Sequence, residues 1–255
     1  MAHTVKGDWV WYELMTKDVA AAVAFYGEVA GWKTEAFGAD YLMWVGARGP
    51  LGGVMLLPEE AAKMGAPPHW MGNLQVDDVD RAAARVKELG GKVYKEPFDV
   101  PTIGRVAIVA DPQGASLAIF KPEQPMNAQA DAQAGEVCWR ELLTSDAAAA
   151  FAFYSDIVGW KSLEEMDMGP MGTYRIYGVG DRRLGGMMTT PKDQGMPPAW
   201  LFYVDVADLD AAISRATAMG AKVLNGPMEV PGGARVAQLM DPQGAAFALH
   251  QRPKS

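Results

Sequence analysis

WYELMTKDVAAAVAFYGEVAGWK, residues 11–33, returns as WRELLTSDAAAAFAFYSDIVGWK at residues 139–161. Each copy holds, in order, a short alternating stretch, an Asp, an Ala-rich run ending in Phe-Tyr, and Gly-Trp-Lys. Further along, LGGVM at 51–55 is matched by LGGMM at 184–188, and APPHW at 66–70 by MPPAW at 196–200. RVAIVADPQGASLAIF at 105–120 is matched by RVAQLMDPQGAAFALH at 235–250. Four landmarks in one order, with length differences confined to the stretches between them, mark an internal duplication. Between the copies lies KPEQPMNAQADAQAG, residues 121–135, polar, rich in Ala and Gln and without apolar periodicity. It reads as a linker. The expected organisation is a first domain over 1–121, a linker over 122–135 and a second domain over 136–255.

Each copy carries its own rhythm. Alternation over Val10–Met15 predicts a strand with two distinct faces. Asp18 then caps an Ala-rich helix with Val23, Phe25, Tyr26 and Val29 as its core stripe, and Gly31 ends it. Short strands follow near 33–37, 41–45 and 53–57. The pattern restarts with a strand over 70–76, an Asp77/Asp78 cap, a helix over 79–89 and stop signals at Gly90 and Gly91. Strands near 93–94, 106–110 and 116–120 complete it, with DPQG (Asp111–Gly114) as the last turn. Strand–helix–three strands, written twice per copy, gives four modules of an α+β fold. Runs of consecutive strands exclude a uniformly parallel, doubly wound sheet.

Composition narrows the function classes. The 255 residues are 49% hydrophobic and 21% charged, an ordinary globular mixture. Twenty-three Lys+Arg against 31 Asp+Glu leave a formal charge of -8, which repels phosphate backbones and anionic lipid. Neither nucleic acid nor membrane is an expected partner. Cys138 is the single cysteine, so no intramolecular disulfide or multi-cysteine zinc site is possible. No stretch approaches the roughly 20 apolar residues of a membrane span, and the first residues lack the apolar core of a signal peptide. A cytoplasmic location is expected.

The doubled βαβββ module, with its capping Asp before a helix containing FY and ending GW, and with DPxG before the last strand, resembles the vicinal oxygen chelate superfamily. That group comprises the glyoxalase, bleomycin-resistance and dioxygenase proteins. The resemblance covers nearly the whole chain and is nearest to the two-domain bacterial type. It implies a tandem glyoxalase/bleomycin-resistance/dioxygenase fold of four βαβββ modules in two pseudo-symmetric domains. It also implies a metal held by His, Glu or Gln in a cavity of the curved sheets, and first-module strands of one half pairing with second-module strands of the other. Carried over residue by residue, the ligand positions fall on Trp11, Met55, Met71 and Ala118, and in the second copy on Trp139, Met188, Leu201 and Ala248. None of these is an ordinary ligand for a hard or borderline divalent ion. No metal and no other cofactor is therefore expected at that site.

Trp11, Trp139, Met55, Met71, Met188 and Leu201 instead suit a planar or apolar ligand. Asn73, Gln75 and Tyr203 share the presumed face and are candidates to orient it. Met166, Met168 and Met171, in EEMDMGPMG, suggest a lid. The alternative is that these side chains simply fill a core. Alternation puts Glu13 and Glu141 one step beyond the two Trp on the same strand face. Each is a candidate general base, or a structural residue paired with Arg105 or Arg235. LGG at Gly52/Gly53 and Gly185/Gly186 reads as a close strand contact. Of the three histidines, His3 lies in the tail, His69 reads as a loop-edge residue and His250 as a solvated strand end; a metal outside the family positions would fall to His69 or His250 with an acidic partner. His250 is kept as a candidate ligand-binding residue. The reading is a metal-free binder of a small apolar or aromatic molecule. The alternative is an enzyme of the superfamily, either an isomerase or lyase using Glu13 or Glu141, or a metal enzyme with an unusual site. One chain supplies two non-equivalent pockets, so a monomer suffices and a homodimer remains open.

Overall fold

The computed structural model describes residues 3–126, 132–190 and 197–253. Part of the expected linker, 127–131, and Met196 of the second PPxW stretch lie outside the described residues. The first repeat runs β1 (Trp9–Thr16), α1 (Val19–Ala30), β2 (Lys33–Ala36), β3 (Leu42–Gly46), β4 (Gly49–Leu56), α2 (Glu59–Lys63), β5 (His69–Gln75), α3 (Val79–Glu88), β6 (Lys92–Val100), β7 (Gly104–Ala110) and β8 (Ser116–Pro122). The second runs β9 (Val137–Thr144), α4 (Ala147–Val158), β10 (Lys161–Asp167), β11 (Thr173–Val179), β12 (Arg182–Thr189), β13 (Ala199–Asp205), α5 (Leu209–Ala218), β14 (Lys222–Glu229), β15 (Arg235–Met240) and β16 (Ala246–Gln251). The four βαβββ modules are as the sequence predicts. The five-residue helix α2 was not foreseen, because EEAAK is too short to show a periodicity.

Local signals set the helix ends. Asp18 sits in extended backbone and its carboxylate accepts the Ala21 amide at 2.9 Å, while Gly31 closes α1 at φ 74. Asp78, Asp146 and Asp208 cap α3, α4 and α5 in the same way. Each such cap contributes about 1 kcal/mol.

Two eight-stranded mixed sheets result, in the orders β2-β3-β4-β1-β5-β8-β7-β6 and β10-β11-β12-β9-β13-β16-β15-β14. β1 and β4, β5 and β8, β9 and β12, and β13 and β16 pair in parallel, whereas the hairpins are antiparallel. Both modules of a repeat therefore share one hydrogen-bonded sheet, whereas each compact unit combines the first module of one repeat with the second module of the other, the exchange that the resemblance implies.

The chain packs as two compact units, and each draws on both repeats. One comprises Met1–Val10, Gly72–Ala130 and Trp139–Trp200, the other Trp11–Met71, Asp131–Cys138 and Leu201–Ser255. In the second of these, Tyr26 donates its hydroxyl to Asp241 Oδ2 at 3.1 Å and accepts the Trp70 indole N–H at 2.9 Å. Trp32 stacks on Tyr26 at 5.6 Å and donates Nε1 to the Gly135 carbonyl at 2.5 Å. Asp241 Oδ1 takes the amides of Gln243 and Ala245, both at 2.9 Å. FY, GW and PPxW of the first repeat thus meet DPQG of the second in one buried knot. Gln243 completes it by accepting the Asp18 amide at 2.7 Å and donating to the Asp18 carbonyl at 2.7 Å. A void of about 10 Å³ beside Tyr26, Trp32 and Trp70 has room for one water at most.

The other unit repeats the knot with roles exchanged. Tyr154 donates to Asp111 Oδ2 at 3.1 Å and accepts Trp200 Nε1 at 3.2 Å. Trp160 donates to the Gly7 carbonyl at 2.8 Å. Asp111 Oδ1 takes the amides of Gln113, Gly114 and Ala115 at 3.0, 2.8 and 2.9 Å. Burial, and then the charge of the partner carboxylate, push the Tyr26 and Tyr154 hydroxyls far above their ordinary range. Burial also holds the Asp111 carboxyl above the usual carboxylate range, against the hydrogen bonds that favour its charge. Among the described residues, no helix is long and apolar enough to cross a membrane.

Candidate functional site

Six of the eight tryptophans (Trp9, Trp32, Trp44, Trp70, Trp160 and Trp200) are buried in these cores. Trp11 and Trp139, where the resemblance implies the first ligand of each repeat, are the two that keep partial access to solvent. Their surroundings are built alike.

On β1, Trp11 and Glu13 project from alternate positions of a strand that pairs in parallel with β4, setting Glu13 opposite Gly53 and Tyr12 opposite Gly52. Tyr41 enters just ahead of β3 and lays its hydroxyl over Gly53, where any Cβ would overlap it. That hydroxyl accepts the Trp11 indole N–H at 2.7 Å and donates to Glu13 Oε1 at 2.8 Å. A Cβ at Gly52 would collide with the Tyr12 carbonyl, so the Gly-Gly pair brings two strands together and opens a slot for Tyr41. The close strand contact expected of LGG is what forms. Burial, followed by the Glu13 charge, pushes the Tyr41 hydroxyl well above its ordinary range, so it stays a neutral donor.

The second repeat is superposable in its logic. Gly186 faces Glu141 across the β9–β12 pair, and Tyr174 lies over Gly186. Trp139 donates to the Tyr174 hydroxyl at 2.8 Å, and Tyr174 hydrogen-bonds Glu141. Burial and the Glu141 charge again hold that hydroxyl in its neutral form. Glu141 is buried whereas Glu13 is only half-buried, so the two sites are chemically alike but unequally wet.

The arginine partners expected for these carboxylates belong elsewhere. Arg105 binds Asp80 at 2.6 Å and Asp99 at 2.8 Å, and Arg235 binds Asp210 at 2.8 Å. Asp80 and Asp210 stand in the acidic first turns of α3 and α5, within reach of those strands.

The remaining candidates are placed as follows. Met55 faces Met15 and Met188 faces Leu143 on the parallel pairs, each half-buried. Met71, Leu201 and Asn73 are buried. Asn73 is the register partner of Ala118 and Tyr203 that of Ala248, and both alanines are fully buried. Tyr203 accepts Gln238 Nε2 at 2.8 Å, and Gln75 donates to the Thr4 carbonyl at 3.4 Å. His69 opens β5 with Nδ1 2.7 Å from the Pro67 carbonyl. His250 is not a solvated strand end, because its Nδ1 lies 2.8 Å from Asp205 Oδ1 in a partly buried pair. The expected Met-rich lid is a hairpin: Met166 lies in β10 opposite Tyr174, and Gly169–Met171 forms a 3₁₀ turn. β10 extends that far because Glu165, Met166 and Asp167 find ladder partners on β11.

Tyr41 and Tyr174 join the candidate site without having been singled out from the sequence. Both repeats carry a Tyr at the same distance before LGG, a signal that becomes legible once the Gly-Gly pair is recognised as a slot.

Comparison with known proteins places this architecture. Residues 3–119 and 137–249 each match the family model for the Glyoxalase/Bleomycin resistance protein/Dioxygenase superfamily. The chain is 33% identical over 244 residues to "Putative glyoxylase CFP32" of Mycobacterium tuberculosis, covering 94% of this chain and 92% of that protein. It is 31% identical over 264 residues to "Anthracycline biosynthesis protein DnrV" of Streptomyces peucetius, covering 98% and 94%. Its fold matches the crystal structure of the Mn(II)-bound glyoxalase from Novosphingobium aromaticivorans with a TM-score of 0.65 at 18% identity, covering 100% of this chain and 84% of that one. The chain belongs to the Glyoxalase/Bleomycin resistance protein/Dioxygenase superfamily, with one family match in each of its two repeats.

Proposed function

We propose that the protein binds a small planar aromatic or apolar molecule against Trp11 in the first repeat and Trp139 in the second, at positions where the superfamily ordinarily chelates a metal. The carrying observation is the Trp–Tyr–Glu arrangement. An indole N–H that donates to a tyrosine at 2.7 Å is a fixed flat surface, and it offers no lone pair to a cation. Met55 and Met188 carry only thioethers, and Ala118 and Ala248 carry no donor at all, so the donor chemistry at these positions does not fit the family metal. Pre-positioned Trp and Met surfaces favour aromatic ligands by burial and by ring–ring and sulfur–ring contacts of roughly 0.5–1.5 kcal/mol each. Glu13 and Glu141, each turned toward a neutral tyrosine, remain acceptors for a ligand hydroxyl. The name of the Streptomyces relative attaches it to anthracyclines, which are built on fused planar rings, and this agrees with the reading.

The experiment is a calorimetric titration with a hydroxylated anthraquinone. The reading expects binding with a dissociation constant in the micromolar range, weakened about tenfold by Trp11→Ala or Trp139→Ala, corresponding to about 1.4 kcal/mol. Unequal affinities are expected at the two sites, since Glu141 is the more buried carboxylate.

A second reading rests on the same carboxylates. A carboxylate held by a tyrosine hydroxyl can take a proton from a bound substrate, which would make the protein a metal-free isomerase or lyase. It requires turnover that Glu13→Gln and Glu141→Gln together abolish while ligand binding persists.

A further inference from the structure

β9, β13 and β16 bring three unlike side chains together in the second repeat. A thiol sulfur from Cys138, a carboxylate oxygen from Asp205 and an imidazole nitrogen from His250 all lie within 4.8 Å of one another. His250 Nδ1 is 2.8 Å from Asp205 Oδ1, and the two residues are direct register partners on parallel strands. Arg252 Nε lies 3.0 Å from Asp205 Oδ2, and the Cys138 thiol donates to the Tyr203 carbonyl at 3.4 Å.

The first repeat shows that the fold does not need this group. By the repeat alignment the same three positions hold Val10, Gln75 and Phe120, and Gln75 and Phe120 are again register partners. Three metal-binding residue types thus stand together in the second repeat where the first has three that cannot form such a set.

We propose that Cys138, Asp205 and His250 bind a borderline divalent transition ion such as Zn²⁺ or Co²⁺, with water completing the coordination. Thiolate, imidazole and carboxylate are the donor set that such ions take at about 2.0–2.3 Å. Donors around one ion then stand about 3–4 Å apart, so separations of up to 4.8 Å in the group have to close by about 1–2 Å. The ion takes the bridging position between His250 and Asp205, the imidazole keeping its proton on the other ring nitrogen, and it displaces the Cys138 thiol proton, so its uptake releases a proton. Arg252 on the outer carboxylate oxygen offsets one of the two negative charges that thiolate and carboxylate bring. With the His250 side chain 20% exposed, an ion and its water have a route in. These residues are not those at the family's ligand positions, so this site stands or falls separately from aromatic binding at Trp11 and Trp139.

The test is a Co²⁺ titration of the full chain carrying no polyhistidine tag, followed by absorption. The site predicts one equivalent bound per chain, with a near-ultraviolet thiolate-to-cobalt band and the visible bands of a tetrahedral ion. Because Cys138 is the single cysteine, such a band reports on it alone. Addition of Zn²⁺ is expected to erase both sets of bands. Cys138→Val, which installs the residue of the first repeat, is expected to remove the near-ultraviolet band and to weaken uptake about 100-fold; His250→Gln is expected to weaken it similarly. Absence of Co²⁺ uptake by the wild-type chain would overturn the proposal. So would uptake without the thiolate band, or uptake unchanged in a folded Cys138→Val protein.

Discussion

The hydroxyl of Tyr41 occupies the space that a side chain at Gly53 would fill, and from there it joins the Trp11 indole to the Glu13 carboxylate. Tyr174 stands in the same relation to Gly186. Gly53→Ala must therefore displace Tyr41, the side chain its Cβ would overlap. It is expected to cost about 1–3 kcal/mol, the range for overpacking a filled site. Tyr41→Phe keeps the packing and removes the hydroxyl, leaving Trp11 Nε1 and Glu13 each short of a partner, and is expected to cost about 1–3 kcal/mol. Denaturant unfolding measures both. If Gly53→Ala proves harmless, the slot is not what makes glycine necessary there.

Alkaline titration reads the same tyrosines. The hydroxyls of Tyr26, Tyr41, Tyr154 and Tyr174 are all raised in the folded chain, by burial first and a neighbouring carboxylate second. A group raised by folding contributes stability that is present below its unfolded value, near pH 10, and lost as the pH rises through the folded value. At pH 11 the native protein is thus expected to show tyrosinate absorbance from at most four of its eight tyrosines, and from all eight after denaturation. Full ionisation at pH 11 without unfolding would contradict the burial of these hydroxyls.

The knot between Tyr154 and Asp111 predicts a shift that carboxyl NMR can follow. Burial raises the Asp111 carboxyl and the Tyr154 hydrogen bond opposes that rise. Tyr154→Phe removes the opposing contact, so the Asp111 titration is expected to move further up. Since a raised carboxyl favours the folded state at low pH and loses that advantage as pH rises through the folded value, the variant is expected to lose more stability at neutral pH than at acid pH. The Trp200 indole N–H also loses its partner, which adds about 1–3 kcal/mol at any pH.

Asp18 is expected to be worth more than an ordinary cap. Its carboxylate holds the Ala21 amide, while its backbone amide and carbonyl both bind Gln243. Asp18→Ala is expected to cost about 1 kcal/mol. Gln243→Ala, which exposes no apolar surface, is expected to cost a comparable amount, and the pair is expected to be non-additive in a double-mutant cycle.

The fold was open to sequence reading because its signals are local. Asp18 and Asp146 mark helix starts, Gly31 and Gly159 mark ends, and DPQG marks the turn before the last strand. The duplication then supplied the long-range order that single motifs lack. What escaped was pairwise geometry. FY, GW, PPxW and DPQG read as separate punctuation, yet Tyr26, Trp32, Trp70 and Asp241 form one buried knot, although DPQG lies over 170 residues further along the chain than the other three motifs. Glu13 was visible as a carboxylate beside Trp11, but its partner was sought among arginines. A neutral tyrosine gives no charge signal, and Tyr41 reaches Glu13 only because Gly53 has no side chain. Cys138 and Asp205 gave no pattern at all, since nothing in the sequence says that β9, β13 and β16 lie side by side.

The account turns on Trp11 and Trp139 being bound surfaces rather than remnants of a metal site. The most direct measurement is tryptophan fluorescence during titration with a hydroxylated anthraquinone, in the wild type and in Trp11→Phe/Trp139→Phe. With the other six tryptophans buried, the account predicts saturable quenching in the wild type at micromolar ligand and loss of most of that quenching in the double variant. Quenching that is linear in ligand, or equal in the two proteins, would contradict it.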